Sequence, residues 1–439
     1  MSEQILHIGI DDTDSPQGMC TTFLAYKIIN RLKKENVDFI DYPNLVRFNP
    51  NIPWKTRGNG AVGLKISTSN PTRIKKLVKK LILDYSDVKN GANPGVVFCH
   101  DDEIPKEFSK LSSDAMWKLI NRNKAKKILS KYKLDYFFLG NGQGLVGATG
   151  VIGYNFDDQT YELLSYRKES QFGKKRLLDK NKVKKMQEKT FPETFNSFDF
   201  KKNKLLLMPH GPDPVFYGIR GENSKVLISA SKMIKPKEKL EGYMIFKSNQ
   251  GTNAHLKNEI DVESFLPYTS GILQGTVISK PTIIKGGHVF FTILTKNKKI
   301  KCAVYKPTKI TNIAMELIVG DSIKVGGGVR KATKKLPRIL NLEFIKILKL
   351  EKKIEFRNPF CHKCKKNMKS MGKNQGFRCV HCKNRVSKKI RKVIKRNLKT
   401  ELYIPDVSAH RHLTRPLQRK NRKSNTEKFN QSSSWISNF

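Results

Sequence analysis

The sequence predicts a multidomain α+β protein in which two mixed α/β domains precede a β-barrel and a zinc ribbon. Three observations carry this. A chain of 439 residues with 38% hydrophobic content is long enough for several cores of ordinary domain size. Helical and alternating apolar patterns succeed one another as far as about residue 267, and five short β-type runs with little helix follow. Cys361, Cys364, Cys379 and Cys382 form two pairs of identical spacing, while Cys20, Cys99 and Cys302 are scattered singly. That pattern is a metal site in a reducing compartment rather than a disulfide framework.

The elements follow in order. Ile5 to Asp11 alternates apolar residues and ends in acids, a strand that delivers carboxylates into a loop, and Phe23, Leu24, Ile28, Ile29 and Leu32 then share one helical face. Ala61 to Ile66 reads as a second strand, and Ile74, Leu77, Val78, Leu81 and Ile82 as a second helix. A strand near Val96 precedes a basic helical stretch through Trp117 and Leu129. Val146–Phe156 and Tyr161–Tyr166 read as a hairpin, and the charged run 174–189 as an exposed insertion. Gly271–Ser279, His288–Leu294, Lys301–Tyr305, Asp321–Gly326 and Leu340–Ile347 supply five strands, the number an OB-fold barrel needs. Ser387–Leu398 is expected to form a basic helix, and the Ser- and Asn-rich end from Ser424 to be disordered.

Eighty-five Lys and Arg against 38 Asp and Glu give a net charge of +47. Solubility does not require such an excess, and a polyanion is its simplest partner, because each neutralised phosphate releases condensed counterions. Nucleic acid is favoured over a membrane surface: no window approaches the roughly eighteen apolar residues of a span, and no charged leader precedes an apolar run. A cytoplasmic, monomeric protein is expected.

The strongest local signal is CHKC, fourteen intervening residues, then CVHC. Two such knuckles place four thiolates tetrahedrally around zinc, the alternative being a redox dithiol pair. Asp11, Asp12 and Asp14, followed by Thr21 and Thr22, fit two readings: a magnesium–triphosphate site with a hydroxyl for phosphoryl transfer, or simple capping of the following helix. KTRGNGA, residues 55–61, sets two cations beside flexible glycines whose amides can approach phosphate, and GNGQGLVGA, residues 140–148, is a second glycine-rich loop; a plain turn explains either. GPDPVFYGIRGE brings Asp213 and Glu222 near Tyr217, a set suited to a small cationic amine or to an internal salt bridge. GGHVFF offers His288, Phe290 and Phe291 for base stacking, with alternation allowing at most one of the two phenylalanines to be buried.

IGIDDTDSPQGMCTT, RFNP followed by IPWKTRGNGAV, NPG at Asn93, YGIRGE, GGHVFF and a ribbon ending in NQGFRC occur in order from Ile8 to Cys379. Together they resemble the archaeal tRNA agmatinylcytidine synthetase family. The resemblance implies an ATP-dependent ligase that activates the 2-oxo group of the wobble cytidine of the AUA-decoding isoleucine tRNA, anticodon CAU, by phosphorylation. Agmatine then displaces phosphate at carbon 2. It implies Asp11, Asp12, Asp14 and Thr21 as catalytic, with Thr21 the phosphorylated threonine. Lys55, Arg57, Gly58, Asn59 and Gly60 are assigned to ATP, Asp213, Tyr217 and Glu222 to agmatine, and His288, Phe290, Phe291 and Arg378 to tRNA. ATP, magnesium and zinc are the cofactors. The implied organisation is a kinase-like domain (1–60 and 136–198), a ferredoxin-like domain (61–135 and 199–267), an OB-fold (268–350), a ribbon with its basic helix (351–400) and a basic tail (401–439). A non-catalytic OB-fold and zinc-ribbon protein that binds single strands is the competing reading.

Overall fold

In the computed structural model the described residues are 3–422 and 426–439. They divide into two compact units: residues 1–272, 326–343 and 405–439, and residues 273–325 and 344–404.

The first unit begins with the expected strand β1 (Gln4–Asp11) and helix α1 (Thr21–Leu32). Strands β2 (Val37–Phe39), β3 (Asn44–Arg47) and β4 (Gly60–Thr68) follow, then helix α2 (Pro71–Tyr85), strand β5 (Gly95–His100), helices α3 (Lys106–Trp117) and α4 (Arg122–Lys131), strand β6 (Asp135–Phe138) and helix α5 (Leu145–Ile152). Next come β7 (Thr160–Arg167), α6 (Lys180–Thr190), the short β8 (Thr194–Phe195), β9 (Phe198–Asp199) and β10 (Lys204–Leu205), then β11 (Val215–Gly221), α7 (Ser224–Met233) and β12 (Leu240–Ser248). One sheet runs β6-β5-β1-β4-β3-β12-β7-β11-β8. Its two halves meet where β3 and β12 pair in parallel, Asn44 opposite Lys247.

The period of two decides which helices cover which face. In β5, Val96 and Phe98 join the core formed with α1 and α2, while Val97 and Cys99 join a second core with Phe108, Leu111, Leu129, Ala148 and Val151 of α3, α4 and α5. Because β1 and β4 pair along Gln4–Ile10, the strands of residues 1–60 and of 61–135 lie in one half of the sheet. The expected strand at Val146 is the helix α5, which packs on β1 and β4; its small residues are helix-contact residues and not turn formers. The expected insertion 174–189 contains α6, whose Val183 and Met186 are buried; an apolar pair on an otherwise charged helix is enough to seat it against α7.

Five strands close the barrel: β13 (Ser270–Val277), β15 (Val289–Thr295), β16 (Lys298–Val304), β17 (Ser322–Arg330) and β18 (Ile339–Lys349), in the order β13-β17-β18-β16-β15 with β15 returning to β13. The two-residue β14 (Thr282–Ile283) pairs with β15, and a short helix α8 (Thr311–Met315) separates β16 from β17. Both Phe290 and Phe291 are buried, which corrects the expectation of at most one. Phe291 enters the core, and Phe290, opposite Thr282 and Ala303, lies beneath the Lys301 side chain.

After β19 (Lys353–Arg357) the ribbon follows, and the segment expected to be a basic helix is instead a strand, Ile390–Ile394, paired with β19. Ile390, Val393 and Ile394 favour β structure, and that preference outweighs the basic residues between them. The C-terminal segment is also corrected. Ser424 lies outside the described residues, but Ile436–Asn438 pairs with β12 and Trp435 is fully buried against Phe39 and Phe429. We call residues 405–439 the strap.

Candidate active site and metal centre

A cavity of about 440 Å³ opens in the first unit, and the residues that line it come from seven stretches of chain, within 11–22, 47–60, 115–120, 143–147, 162–164, 196–220 and 407–412. The first is the end of β1 with the start of α1. Asp12 adopts a left-handed backbone (φ +58°), which turns the chain and sends Asp11, Asp12 and Asp14 toward the same space. Burial raises the Asp12 carboxyl to about 8 and the Asp11 carboxyl to about 7, with neighbouring aspartates adding to the rise. Burial also raises Asp14, opposed by the Arg57 guanidinium 3.3 Å away. Three converging carboxylates without enough countercharge fit a divalent cation in kind and number of oxygens.

Thr21 sits at the first turn of α1, where backbone N–H groups are free to face an anion. Its hydroxyl accepts from Thr13 Oγ1 at 3.1 Å and lies 3.4 Å from Asp14 Oδ1, an acceptor for its proton. Opposite stands the loop after β3. Arg57 donates to the carbonyls of Met19, Ser15 and Gly18, tying this loop to the acidic one, and Lys55 donates to the Arg57 carbonyl at 2.9 Å. A Cβ on Gly58 would stand 2.6 Å from Arg47 Nη1 and 2.8 Å from His412 Nε2, so glycine is needed for close approach. The second glycine-rich stretch serves α5 packing: a Cβ on Gly147 would fall 1.9 Å from Asp11 Oδ2. Gln143, Val146 and Gly147 nonetheless reach the cavity.

The amine set is brought together only in part. Asp213 lines the cavity, and its Oδ2 has no hydrogen-bond partner among the described residues, 4.0 Å from Arg57 Nε. Glu222 instead pairs at 2.7 Å with Arg419, whose side chain is wholly buried, and Tyr217 is buried in the core; neither lines the cavity. Sequence reasoning missed Arg47, Glu162 and His412. Glu162 joins Arg220 Nε at 3.0 Å and Arg47 Nη2 at 3.6 Å, and Arg220 Nη2 lies 2.9 Å from His412 Nδ1. Arg47 stands in the RFNP motif, which was a signal; a histidine within a basic strap gave none.

In the second unit the four cysteine sulfurs lie within 4.8 Å of one another. Backbone hydrogen bonds to Cys379, first from Cys382, lower its thiol to about 6, whereas hydrogen bonding to Cys382 raises the Cys364 thiol to about 12. One thiolate held by its neighbours' protons is the arrangement zinc replaces, and the tetrad fits zinc with no further ligand. His288 accepts the Lys306 N–H at 3.1 Å and stacks edgewise on Tyr305, while Arg378 is exposed on the ribbon. Among the described residues no helix is long and apolar enough to cross a membrane.

Comparison with known proteins places these features together. Three family models match: TiaS TCKD domain over residues 7–140, TiaS FLD domain over 142–255 and TiaS C-terminal zinc ribbon domain over 358–398. A protein of Cenarchaeum symbiosum named as the isoleucine-2 tRNA 2-agmatinylcytidine synthetase TiaS is 44% identical over 99% of this chain and 97% of its own length. Its namesake in Methanocaldococcus jannaschii is 38% identical over 94% and 98%. A crystal structure of TiaS in complex with the isoleucine-2 tRNA and ATP superposes with a TM-score of 0.88 at 34% identity, covering 97% of this chain and all of that one. A complex of TiaS with the same tRNA, AMPCPP and agmatine gives 0.85 at 33% identity, with the same coverage.

Proposed function

The chain belongs to the family of isoleucine-2 tRNA 2-agmatinylcytidine synthetases, and on that premise we propose how its residues divide the work. The protein is an ATP-dependent ligase that joins agmatine to carbon 2 of the wobble cytidine of the isoleucine tRNA with a CAU anticodon, so that the tRNA reads AUA instead of AUG. The cytoplasm is the compartment this reading fits. The observation that carries the assignment of roles is the meeting of Asp11, Asp12, Asp14 and Thr21 with Lys55, Arg57 and Asp213 around one cavity.

Asp11, Asp12 and Asp14 would hold magnesium, which supplies positive charge for phosphoryl oxygens when bound. Lys55, Arg57 and the amides of Gly58, Asn59 and Gly60 orient the nucleotide's phosphates. Thr21 accepts a phosphoryl group, with Asp14 positioned to take its proton. The cytosine 2-oxo oxygen, poor as a leaving group, departs as phosphate once phosphorylated, and the amine nitrogen of agmatine forms the new bond to carbon 2. Asp213, whose Oδ2 accepts no hydrogen bond among the described residues, is suited to hold the cationic agmatine beside Arg57 and Arg176. Zinc on the four cysteines keeps the ribbon folded, and Arg378, with His288 of the barrel, serves the tRNA; Phe290, buried beneath Lys301, and Phe291 support the barrel. Incubating the protein with ATP, magnesium, agmatine and unmodified tRNA converts the wobble cytidine. Absence of the corresponding nucleoside mass shift overturns the proposal.

A further inference from the structure

Beside the main cavity lies a second, of about 310 Å³, which shares Arg47, Lys55, Arg57, Gly58, Arg411 and His412 with it and has no carboxylate among its lining residues. The charge around it is not balanced. Arg57 has Asp14, Arg411 has Glu343 at 3.5 Å and Asn51 Oδ1 at 2.8 Å, and Arg47 has Glu162. Lys55 has no carboxylate within ion-pair distance among the described residues; its one hydrogen bond goes to a carbonyl. Arg47 Nε is buried without a hydrogen-bond partner among them. Burial and then the like charges of Arg411 and Arg47 lower the Lys55 ammonium, and burial with Arg47, Arg220 and Lys55 holds His412 well below the usual histidine range, so that it is neutral. Four cations crowd one concave space, and the Arg47 Nε–H and the Lys55 ammonium still await an anionic acceptor.

We propose that this second cavity is a phosphate seat, in which Lys55, Arg47 and the strap's Arg411 grip one phosphate group as a unit. Tetrahedral oxygens accept from several donors at once, and a guanidinium pair with an ammonium supplies them. The same chemistry is offered by a phosphodiester of the RNA backbone and by the phosphate tail of the nucleotide. The proposal rests on the functional reading above, but its test uses equilibrium binding and not turnover, so that failure of one is distinct from failure of the other.

The variants are Lys55→Gln and Arg411→Gln in the full chain, with Arg411→Lys as the charge-preserving control. Dissociation constants for tRNA and for ATP are measured over a salt series, with thermal melts to verify folding. If the seat holds the RNA backbone, both Gln variants weaken tRNA about tenfold and lower the slope of log affinity against log salt by about one, and Arg411→Gln leaves ATP affinity unchanged. If it holds the nucleotide, both weaken ATP about tenfold and leave the tRNA slope unchanged. Arg411→Lys keeps most of either affinity. No change in either ligand, or a change in only one of the two Gln variants, overturns the seat. Because Arg411 also holds Glu343, Lys55→Glu serves as the second variant should Arg411→Gln melt early. Among the described residues Lys55 makes no side-chain ion pair to lose, and unaltered binding of both ligands there overturns the proposal as well.

Discussion

The aspartate cluster and the cysteine cluster both gather like ionisable groups at distances where their charges repel, yet they are built to opposite ends. The three aspartates stand at the edge of a cavity of about 440 Å³ with a hydroxyl, cations and a carboxylate across from them. The four cysteines lie within 4.8 Å of one another, with Met368 and Phe377 packed among them. An open cluster leaves coordination positions for a substrate; a closed one uses all of them to hold the fold. The difference teaches that clustering alone does not mark reactivity. What surrounds the cluster decides it.

The comparison breaks first on activity. Asp12→Asn and Thr21→Ala should each lower agmatine transfer by at least about a thousandfold, because both act where charge develops, while tRNA affinity stays within about twofold. Nucleoside mass spectrometry and filter binding measure the two quantities. A tRNA affinity that falls along with turnover would make the acidic wall a binding element like the ribbon.

Cys379→Ser tests the other side. We expect loss of bound zinc by metal analysis and about tenfold weaker tRNA binding, with ATP binding retained, because the cavity proposed for the nucleotide belongs to the first unit. Unchanged tRNA affinity in a folded, zinc-free variant would refute the division between an open reacting cluster and a closed gripping one.

The smallest effect is on stability against pH. Asp11 and Asp12 are raised to about 7 and about 8 from an ordinary 3.8. The folded state therefore binds more protons than the unfolded between these limits, and this contribution to stability, complete below about pH 4, is lost as pH rises through 7 and 8. Thermal melts with a chelator should fall by a few degrees over that window, magnesium should restore them most at the alkaline end, and Asp12→Asn should flatten the dependence. Equal slopes for wild type and Asp12→Asn would show that the aspartates are not coupled as the cavity geometry requires.

Much of this was legible before the structure. The β1–loop–α1 unit declared itself because its code is local: alternating residues, three acids, then apolar residues at helical spacing. The ribbon did so because thiolate spacing and tetrahedral geometry leave few alternatives. Where the reading failed, short-range pattern pointed elsewhere. The glycines around Gly147 look like turn residues, and only contact with Asp11 shows that they admit a helix against β1. For Glu222, nothing local announces the pairing with the buried Arg419.

By itself, then, the sequence determined the class of fold, the polyanionic partner, the zinc tetrad and the acidic wall, each written in neighbouring residues or in bulk charge. Tertiary structure alone decided the fate of the strap. Its Arg, Ser and Asn content reads as a solvated tail, yet Arg419 is buried between Asp158 and Glu222, Trp435 fills the core beside Phe39, and His412 and Arg411 line the cavity. The physical reason is range. A buried charge is tolerable only where distant carboxylates meet it, and no local period in the strap announces partners some two hundred or more residues away.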